Sequence, residues 1–460
     1  MPLQPFVGTR RAVPLRVALF ASAPSAPLRP LRLCVTAFAL PPFAFGGARR
    51  AVPLQPFVGT RRAVPLQPFV GTRRAVPLQV ACCALTTSRL CALCAFALPS
   101  FALPSFVLPS FALIVLRSRL MIGIIGTGWG TRVQVPAFRA AGLTVTALAG
   151  SNSAKTARIA QELEVPFATA NWREVLERDD VQLVSIVTPP YLHREMAEAA
   201  LAAGKHVLCE KPTALNTAEA EAMMATAQAH PSQLALIDHE LRFLPAVQAM
   251  RARVASGDIG EVRAAEVRFV SSSRADPQRQ WDWWSDRAAG GGVLGAIGSH
   301  QIDLLRFILA DEVKEAQGLV HTFIKQRPDA VGVLHAVTSD DYTTAILRLS
   351  RDTTATLTAT VVARTNEPLI VTVYGSAGTL RFSDGRLFIS TGDAFHDITP
   401  PHTVDLPASL IGEFPQGTVY LGHALRAALA GQYEAIAPAA TFGDGLAIQR
   451  VLDAIRGEKA

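Results

Sequence analysis

Acidic residues are missing from the first quarter of this 460-residue chain. Residues 1–120 hold 14 Arg and no Lys, Asp or Glu, so of the chain's 44 Lys plus Arg only 30 remain beyond them, against all 37 Asp plus Glu. The formal +7 of the full sequence is therefore −7, 30 against 37, from Met121 onward. The overall basic balance is thus no argument for nucleic-acid binding. Cysteine is almost missing from the same remainder. Five of six lie before Met121 and only Cys209 follows. That excludes a disulfide framework and suits a reducing, cytoplasmic setting. No His, Cys, Asp and Glu set has metal-ligand spacing, and His239-Glu240 does not extend to H-E-x-x-H, so no metal is expected.

The first 120 residues are repetitive. AVPLQPFVGTRR stands at 51–62 and 63–74, and FALPS or FVLPS recurs from Phe96 to Ser110. Units this short cannot form a supersecondary repeat, and their prolines break helices. Leu90 to Leu116 is uncharged and long enough to span a membrane, but Pro99, Pro104 and Pro109 interrupt it. A secretory signal would lie far from the start and lacks a clean cleavage site. The reading preferred is neither anchor nor domain, but repetitive sequence ahead of a true start near Met121. The intact mass of the native protein checks this; a product carrying residues 1–120 defeats it.

From Met121 the pattern becomes regular. Ile122, Ile124 and Ile125 form an apolar run, Gly126-Thr127-Gly128-Trp129-Gly130 follows, and a helix begins. A strand, a glycine turn and a helix N-terminus form a cradle for a dinucleotide diphosphate. Thr131 sits where the third residue of G-x-G-x-x-G would be. The second strand, Leu143 to Ala149, ends without the acid that takes ribose hydroxyls in NAD-preferring folds. Ser151, Asn152 and Lys155 stand there instead, which favours NADP over NAD. A helix cap with solvated charges accounts for the same residues. Later strands end in Thr188-Pro189-Pro190-Tyr191-Leu192-His193 and Glu210-Lys211-Pro212. Carboxyl ends of strands are where open α/β sheets hold ligands.

Hydride transfer needs a donor that polarises the reacting oxygen and a proton as charge develops. Lys211 and His300 are the candidates. Lys211 precedes proline, which favours an extended backbone and allows a cis bond. A surface lysine is the competing reading. On a helix, His300 and Asp303 share a face, so Asp303 can orient the ring. A histidine satisfied within the core competes. His193 and His206 read as structural, His193 with a possible cofactor contact, and Glu210 as a holder of cofactor or of Lys211. Trp281 to Arg287 carries three tryptophans. It reads equally as a sugar subsite, with Trp283 and Arg287 as substrate contacts, and as a lid packed on its own rings. Beyond the His300 helix a β meander runs to Ser390, then helices at Gly422–Ala430 and Gly445–Arg456 close the chain. Val361, Val362, Ile370, Val371 and Val373 suggest apolar residues on both faces of the sheet, which suits a partner subunit. A monomer in light scattering at micromolar concentration contradicts that.

Four features together resemble the glucose–fructose oxidoreductase / inositol dehydrogenase (Gfo/Idh/MocA) family. They are the opening glycine turn, Thr188-Pro189-x-x-x-His193, Glu210-Lys211-Pro212, and Gly290-Gly291-Gly292 followed by Gly298-Ser299-His300-Gln301-Ile302-Asp303; Leu241 to Pro245 agrees. The resemblance covers 121–460 and implies an α/β fold. A Rossmann domain with a doubly wound parallel sheet, 121–240, precedes an α+β domain with a large, mostly antiparallel open sheet, 241–460. It implies an NAD- or NADP-dependent oxidoreductase acting on a sugar, cyclitol or related polyol, assembled as a homodimer or homotetramer, with no nucleic-acid or membrane partner. Lys211 inherits a contact to nicotinamide and substrate, and His300 a contact to the reacting oxygen. Two positions depart from the family pattern: Ala296 replaces an aspartate four residues before the histidine, and Pro190 replaces an asparagine. Ala296 supports the competing expectation of a nucleotide sensor of the same fold without chemistry.

Overall fold

The computed structural model describes residues 121–458, and the expectations for residues 1–120 lie outside them. Strand β1 (Met121–Ile125) is followed by β2 (Thr144–Ala149), β3 (Phe167–Thr169), β4 (Leu183–Ile186), β5 (His206–Cys209) and β6 (Ala235–Ile237). All six pair in parallel, in the order β6-β5-β4-β1-β2-β3. Helices cover both faces, so β1 and β4 are apolar on both sides: Ile122, Ile124, Leu183, Val184 and Ile186 are fully buried. Strand order reverses between β1 and β4, which opens a crevice at their carboxyl ends.

The second sheet comprises β7 (Val262–Val270), β8 (Val313–His321), β11 (Tyr342–Leu349), β12 (Thr354–Thr360), β13 (Glu367–Gly375), β14 (Thr379–Ser383), β15 (Arg386–Ser390) and β16 (His396–Asp397). Strands β9 (Gln326–Pro328) and β10 (Leu334–Ala336) form a separate hairpin. The eight-stranded order is β16-β15-β14-β13-β7-β12-β11-β8, antiparallel except between β7 and β12. Last, β17 (Ala440–Thr441) returns to pair antiparallel with β6, so the end of the chain completes the first sheet.

The second sheet alternates with period two, as a half-buried sheet must. Leu347, Leu357, Val371, Val373, Leu380 and Phe382 point inward and are fully buried. Each such side chain contributes about 1.5–3 kcal/mol relative to exposure. Against this face lies the helix Ser299–Leu309, buried along its whole length. The apolar residues expected on both faces divide accordingly. Val361, Val371 and Val373 are buried, while the outer face shows Leu319 and Ile346 among threonines such as Thr354 and Thr356.

Two helices differ from the sequence reading. Glu413–Leu429 begins well before Gly422, because Gly417 and Gly422 are contact points within it rather than its start. A Cβ at Gly417 would stand 2.8 Å from the Glu240 carbonyl, and one at Gly422 2.9 Å from Ala141 Cβ. Thr217–Ala229, capped by the Asn216 side chain, went unread. Its alanine-rich sequence carries little amphipathic signal. Among the described residues no helix is long and apolar enough to cross a membrane.

Candidate functional site

A cleft of about 1060 Å³ opens at the carboxyl ends of β1, β2, β4 and β5 and is closed by residues that follow β7. The glycine loop after β1 lines one end. Its glycines have separate roles. Gly126 takes φ +133°, and a Cβ there would stand 2.1 Å from the Val187 carbonyl oxygen. Gly128 has no atom within 4 Å of that position, so its backbone faces open space. These are the turn and the close approach that a diphosphate cradle requires. Gly126, Thr127, Gly128 and Trp129 line the cleft; Gly130 packs behind them against Ile124. Thr131 ties the loop together, its Oγ1 donating to the Thr127 carbonyl at 3.0 Å.

Beyond β2, Ser151 and Lys155 line the cleft. Asn152 does not: its Oδ1 accepts from the Lys155 amide at 2.9 Å and caps the helix Ser153–Glu162. No acid stands with them; the neighbouring lining residues are Gly150, Ala170 and Trp172. Thr188 and Pro189 after β4 also line the cleft. His193 was expected among the cofactor contacts and lies behind them instead. Its buried ring meets the Pro212 carbonyl at 3.0 Å and the Thr188 carbonyl at 2.8 Å, tying together the segments after β4 and β5. Burial lowers its pKa, against the pull of those carbonyls.

Lys211 lines the cleft, and its peptide bond to Pro212 is cis. Its Nζ donates to the Ala296 carbonyl at 3.1 Å. At the position where the family pattern has an aspartate, the backbone carbonyl of Ala296 takes the ammonium. Around Lys211 lie three buried carboxyls, Glu210, Asp238 and Glu240. Gln134 Nε2 donates to Asp238 at 2.9 Å and to Glu210 at 3.3 Å, and Ser185 Oγ donates to Gln134 Oε1 at 2.6 Å. Burial, then the charge on Asp238, pushes Glu210 up to about 8. Burial pushes Asp238 up to about 6. Glu240, 2% exposed and lining the cleft, is raised by burial and by both neighbours.

His300 lines the cleft from the first turn of its helix. Its ring lies edge-on between His239, centroids 5.3 Å apart, and Phe414, 5.0 Å apart. Its Nδ1 has no hydrogen-bond partner. Burial, then Lys211 and His239, holds its pKa well below the usual range, so the ring is neutral. Asp303 does not orient it. The Asp303 carboxylate is taken by Arg242, whose Nε and Nη2 donate at 3.0 and 2.6 Å, and the nearest imidazole is His239 at 3.9 Å. On a helix buried all round, sharing a face with His300 was not enough; the cation on the segment Glu240–Phe243 was closer. Arg287 is likewise elsewhere, paired with Glu458 beside a separate hollow of about 190 Å³. Trp283 and Trp284 do line the cleft, whereas Trp281 Nε1 donates to the Ala336 carbonyl in the hairpin.

The raised carboxyls and lowered histidines give a pH signature. The folded state keeps protons on Glu210 and Asp238 above their ordinary 4.5 and 3.8, so this contribution to stability is lost as pH rises toward about 8. The histidines act oppositely. His239 is lowered by burial to about 4 and His300 is also depressed, so stability is lost as pH falls below 6.5. The trends oppose one another in the acid range, and only the carboxyl trend remains above 6.5. The thermal midpoint is therefore expected to fall between pH 6.5 and 8, and less steeply in Glu210→Gln. A midpoint that rises over this interval contradicts a protonated Glu210.

Several lining residues escaped the sequence reading: Arg132, Glu240, Arg274, Arg279 and Phe414. Glu240 had a usable signal, since Asp238-His239-Glu240 follows the carboxyl end of β6. That strand has three residues, too few to stand out. Phe414, Arg274 and Arg279 come from segments with no motif; Arg132 directly follows the glycine loop. Among the described residues no group of three or more His, Cys, Asp or Glu side chains is placed to hold a metal ion.

Comparison with known proteins agrees with this geometry. Residues 120–237 match a family model described as an oxidoreductase family NAD-binding Rossmann fold, and residues 247–381 match the GFO/IDH/MocA C-terminal domain. Glucose-fructose oxidoreductase domain-containing protein 2 of Mus musculus is 32% identical over 351 residues, 73% of this chain and 90% of the relative. An uncharacterized oxidoreductase of Synechocystis, sll0816, is 32% identical over 301 residues, 63% of this chain and 81% of its own. Among solved structures, an oxidoreductase domain protein from Kribbella flavida is 34% identical with a TM-score of 0.67. Levoglucosan dehydrogenase in complex with NADH and levoglucosan is 26% identical with a TM-score of 0.66. Each of these alignments covers 74% of this chain and 96% of the other.

Proposed function

The chain belongs to the GFO/IDH/MocA oxidoreductase family, and on that premise we propose that it interconverts a hydroxyl and a carbonyl on a sugar, cyclitol or related polyol, as a homodimer or homotetramer. The observation that carries the reading is that one cleft is lined both by the glycine loop and by Lys211 and His300. The glycine loop fits a dinucleotide, because Gly128 leaves its backbone open to an anion. The loop and Trp129 hold the diphosphate, Ser151 the adenosine ribose and Lys155 its 2′-phosphate, and Thr188, Pro189 and Glu210 border the nicotinamide end. A bound nicotinamide supplies or accepts the hydride.

The chain's own groups handle the proton. Lys211 donates to the substrate oxygen in reduction and its amine recovers the proton in oxidation. Neutral His300 hydrogen-bonds the same oxygen. Glu210, raised to about 8, keeps its proton at neutral pH, while Asp238, at about 6, carries the charge that faces the Lys211 ammonium. Phe414 and Trp284 keep water from the reacting atoms. The kinship with levoglucosan dehydrogenase supports a sugar-like substrate.

The cofactor is NADP in this reading, since a cation and a hydroxyl stand where an acid would take the ribose hydroxyls. Lys155→Ala is expected to weaken NADPH binding about tenfold, the worth of one hydrogen bond to a charged group, and to leave NADH unchanged. Equal affinities of the native protein for both nucleotides remove the preference. Oxidation of NADPH with a panel of ketosugars tests the enzyme reading. The second reading, a nucleotide sensor, draws on the alanine at position 296. Nucleotide binding without turnover on any member of the panel favours it.

A further inference from the structure

The cleft carries more positive charge than a dinucleotide diphosphate and its ribose account for. The described part of the chain is acidic overall, yet five basic side chains line the cleft against three acidic ones. Burial raises both Glu210, to about 8, and Glu240 toward the neutral acid. Arg132, Lys155 and Lys211 belong to the nucleotide end and the reacting centre. Arg274 and Arg279 remain. They follow β7, on the wall that also presents Ser271, Ser273 and Trp283.

The loop that bears them is fixed. Buried Arg327 donates through Nη1 to the Asp276 carbonyl and through Nη2 to the Arg274 carbonyl, both at 2.6 Å. The Arg274 guanidinium lies 4.0 Å over the Trp284 ring. Its side chain is 13% exposed, and its only carboxylate partner among the described residues is Asp282, at 3.3 and 3.5 Å. Arg279 donates weakly to the Ser273 carbonyl at 3.4 Å and has no ion pair among the described residues. Three guanidiniums thus stand near one another; Asp282 is the carboxylate that pairs with Arg274, Asp341 and Asp276 act on Arg327, and Arg279 is left without an ion pair among the described residues. Burial lowers the pKa of Arg274 against the pull of Asp282, and the like charges of Arg279 and Arg327 add smaller downward contributions. Mutual repulsion of this kind, held by a rigid loop at the edge of a cleft, is relieved by an incoming anion.

We propose that the substrate of this cleft bears an anionic group, a carboxylate or a phosphate, received by Arg274 and Arg279 while Lys211 and His300 face the carbon that reacts. This rests on the dinucleotide-dependent reading above and names the substrate class for it. Trp283 then packs on the sugar or polyol chain between the two ends. Asp282, whose Oδ1 also accepts from the Trp284 amide at 3.1 Å, stays in place and shares Arg274 with the anion.

Calorimetric titration of the full chain tests this, first with NADPH and NADH, then on the nucleotide-saturated protein with D-gluconate, D-glucose 6-phosphate and D-glucose. At least one anionic probe is expected to bind roughly tenfold or more tightly than glucose, and to weaken as KCl is raised. Whether gluconate or the phosphate wins identifies the anion. Arg279→Gln, on an exposed side chain, is expected to bring the preferred anion down to the level of glucose without changing nucleotide affinity. Arg274→Gln is expected to do the same. Glucose binding as well as both anions, no binding of either anion, or an Arg279→Gln protein with unchanged preference overturns the inference while the nucleotide titration still stands. A chain that binds neither nucleotide overturns the dinucleotide reading and this inference with it.

Discussion

Replacing Lys211 by methionine will remove most of the turnover and leave the nucleotide bound. Positioned proton transfer is worth about 10²- to 10⁴-fold in rate, and methionine keeps the unbranched apolar stem of the side chain while removing the ammonium and its proton. The fold should survive for a reason particular to this site. Lys211 makes one hydrogen bond within the protein, from its ammonium to the Ala296 carbonyl, worth about 1.5–3 kcal/mol. The carboxyls that surround the ammonium already have raised pKa values from burial, so losing the cation pushes them further toward the neutral acid instead of leaving buried charge. The measurement is kcat beside the nucleotide Kd, on whichever substrate the panel yields. Loss of kcat with an unchanged Kd is the expected result. Unchanged kcat means the proton comes from another group, and Glu240, buried at the cleft wall, is the first to replace next. Should the panel yield no substrate, the pH dependence of the Lys211→Met thermal midpoint still reports on the ammonium. With the cation gone, the loss of stability through Glu210 should shift to higher pH.

What the sequence made legible follows from how local each determinant is. The glycine loop, the Thr188-Pro189 turn and the Glu210-Lys211-Pro212 turn each depend on residues a few positions apart, and all border the cleft as read. The alternation of β11 to β15 was readable for the same reason, since a strand's faces are set by neighbours two apart. Side-chain partners across the chain were not. Asp303 shares a helical face with His300, but Arg242 lies 61 positions away and takes the carboxylate. His193 carries a motif position, yet its ring is spent on the Pro212 carbonyl 19 positions on. Arg274 and Arg279 became visible only once the loop after β7 was seen to close the cleft. Glu413–Leu429 hid behind its glycines, which signal a break in sequence and a close contact in space.

Arg242→Met is expected to be the most destabilising single change near the site. Arg242 joins the segment after β6 to the buried helix that carries His300. It donates to Asp303 through Nε and Nη2, reaches Asp444 at 3.2 Å and lies 5.0 Å over the Phe307 ring. Methionine replaces the packing on Phe307 but leaves the Asp303 carboxylate, 1% exposed, without its cation. Removing one partner of a buried pair costs about 3–5 kcal/mol, because the remaining charge has no water to turn to. Asp444 is less affected, since Arg306 also contacts it at 3.2 Å. The pair itself need not stabilise the fold: removing both charges with apolar side chains of similar size is often neutral. Denaturant unfolding of Arg242→Met, Asp303→Leu and the double variant separates the two statements. The double variant should recover most of what Arg242→Met loses. If it loses as much as the sum of the single changes, the two residues act independently and the ion pair is not what joins the His300 helix to the segment after β6. His300 offers a second readout. Its place between His239 and Phe414 depends on that junction, so a destabilised Arg242→Met protein should also lose catalytic rate, while the double variant regains stability and rate together.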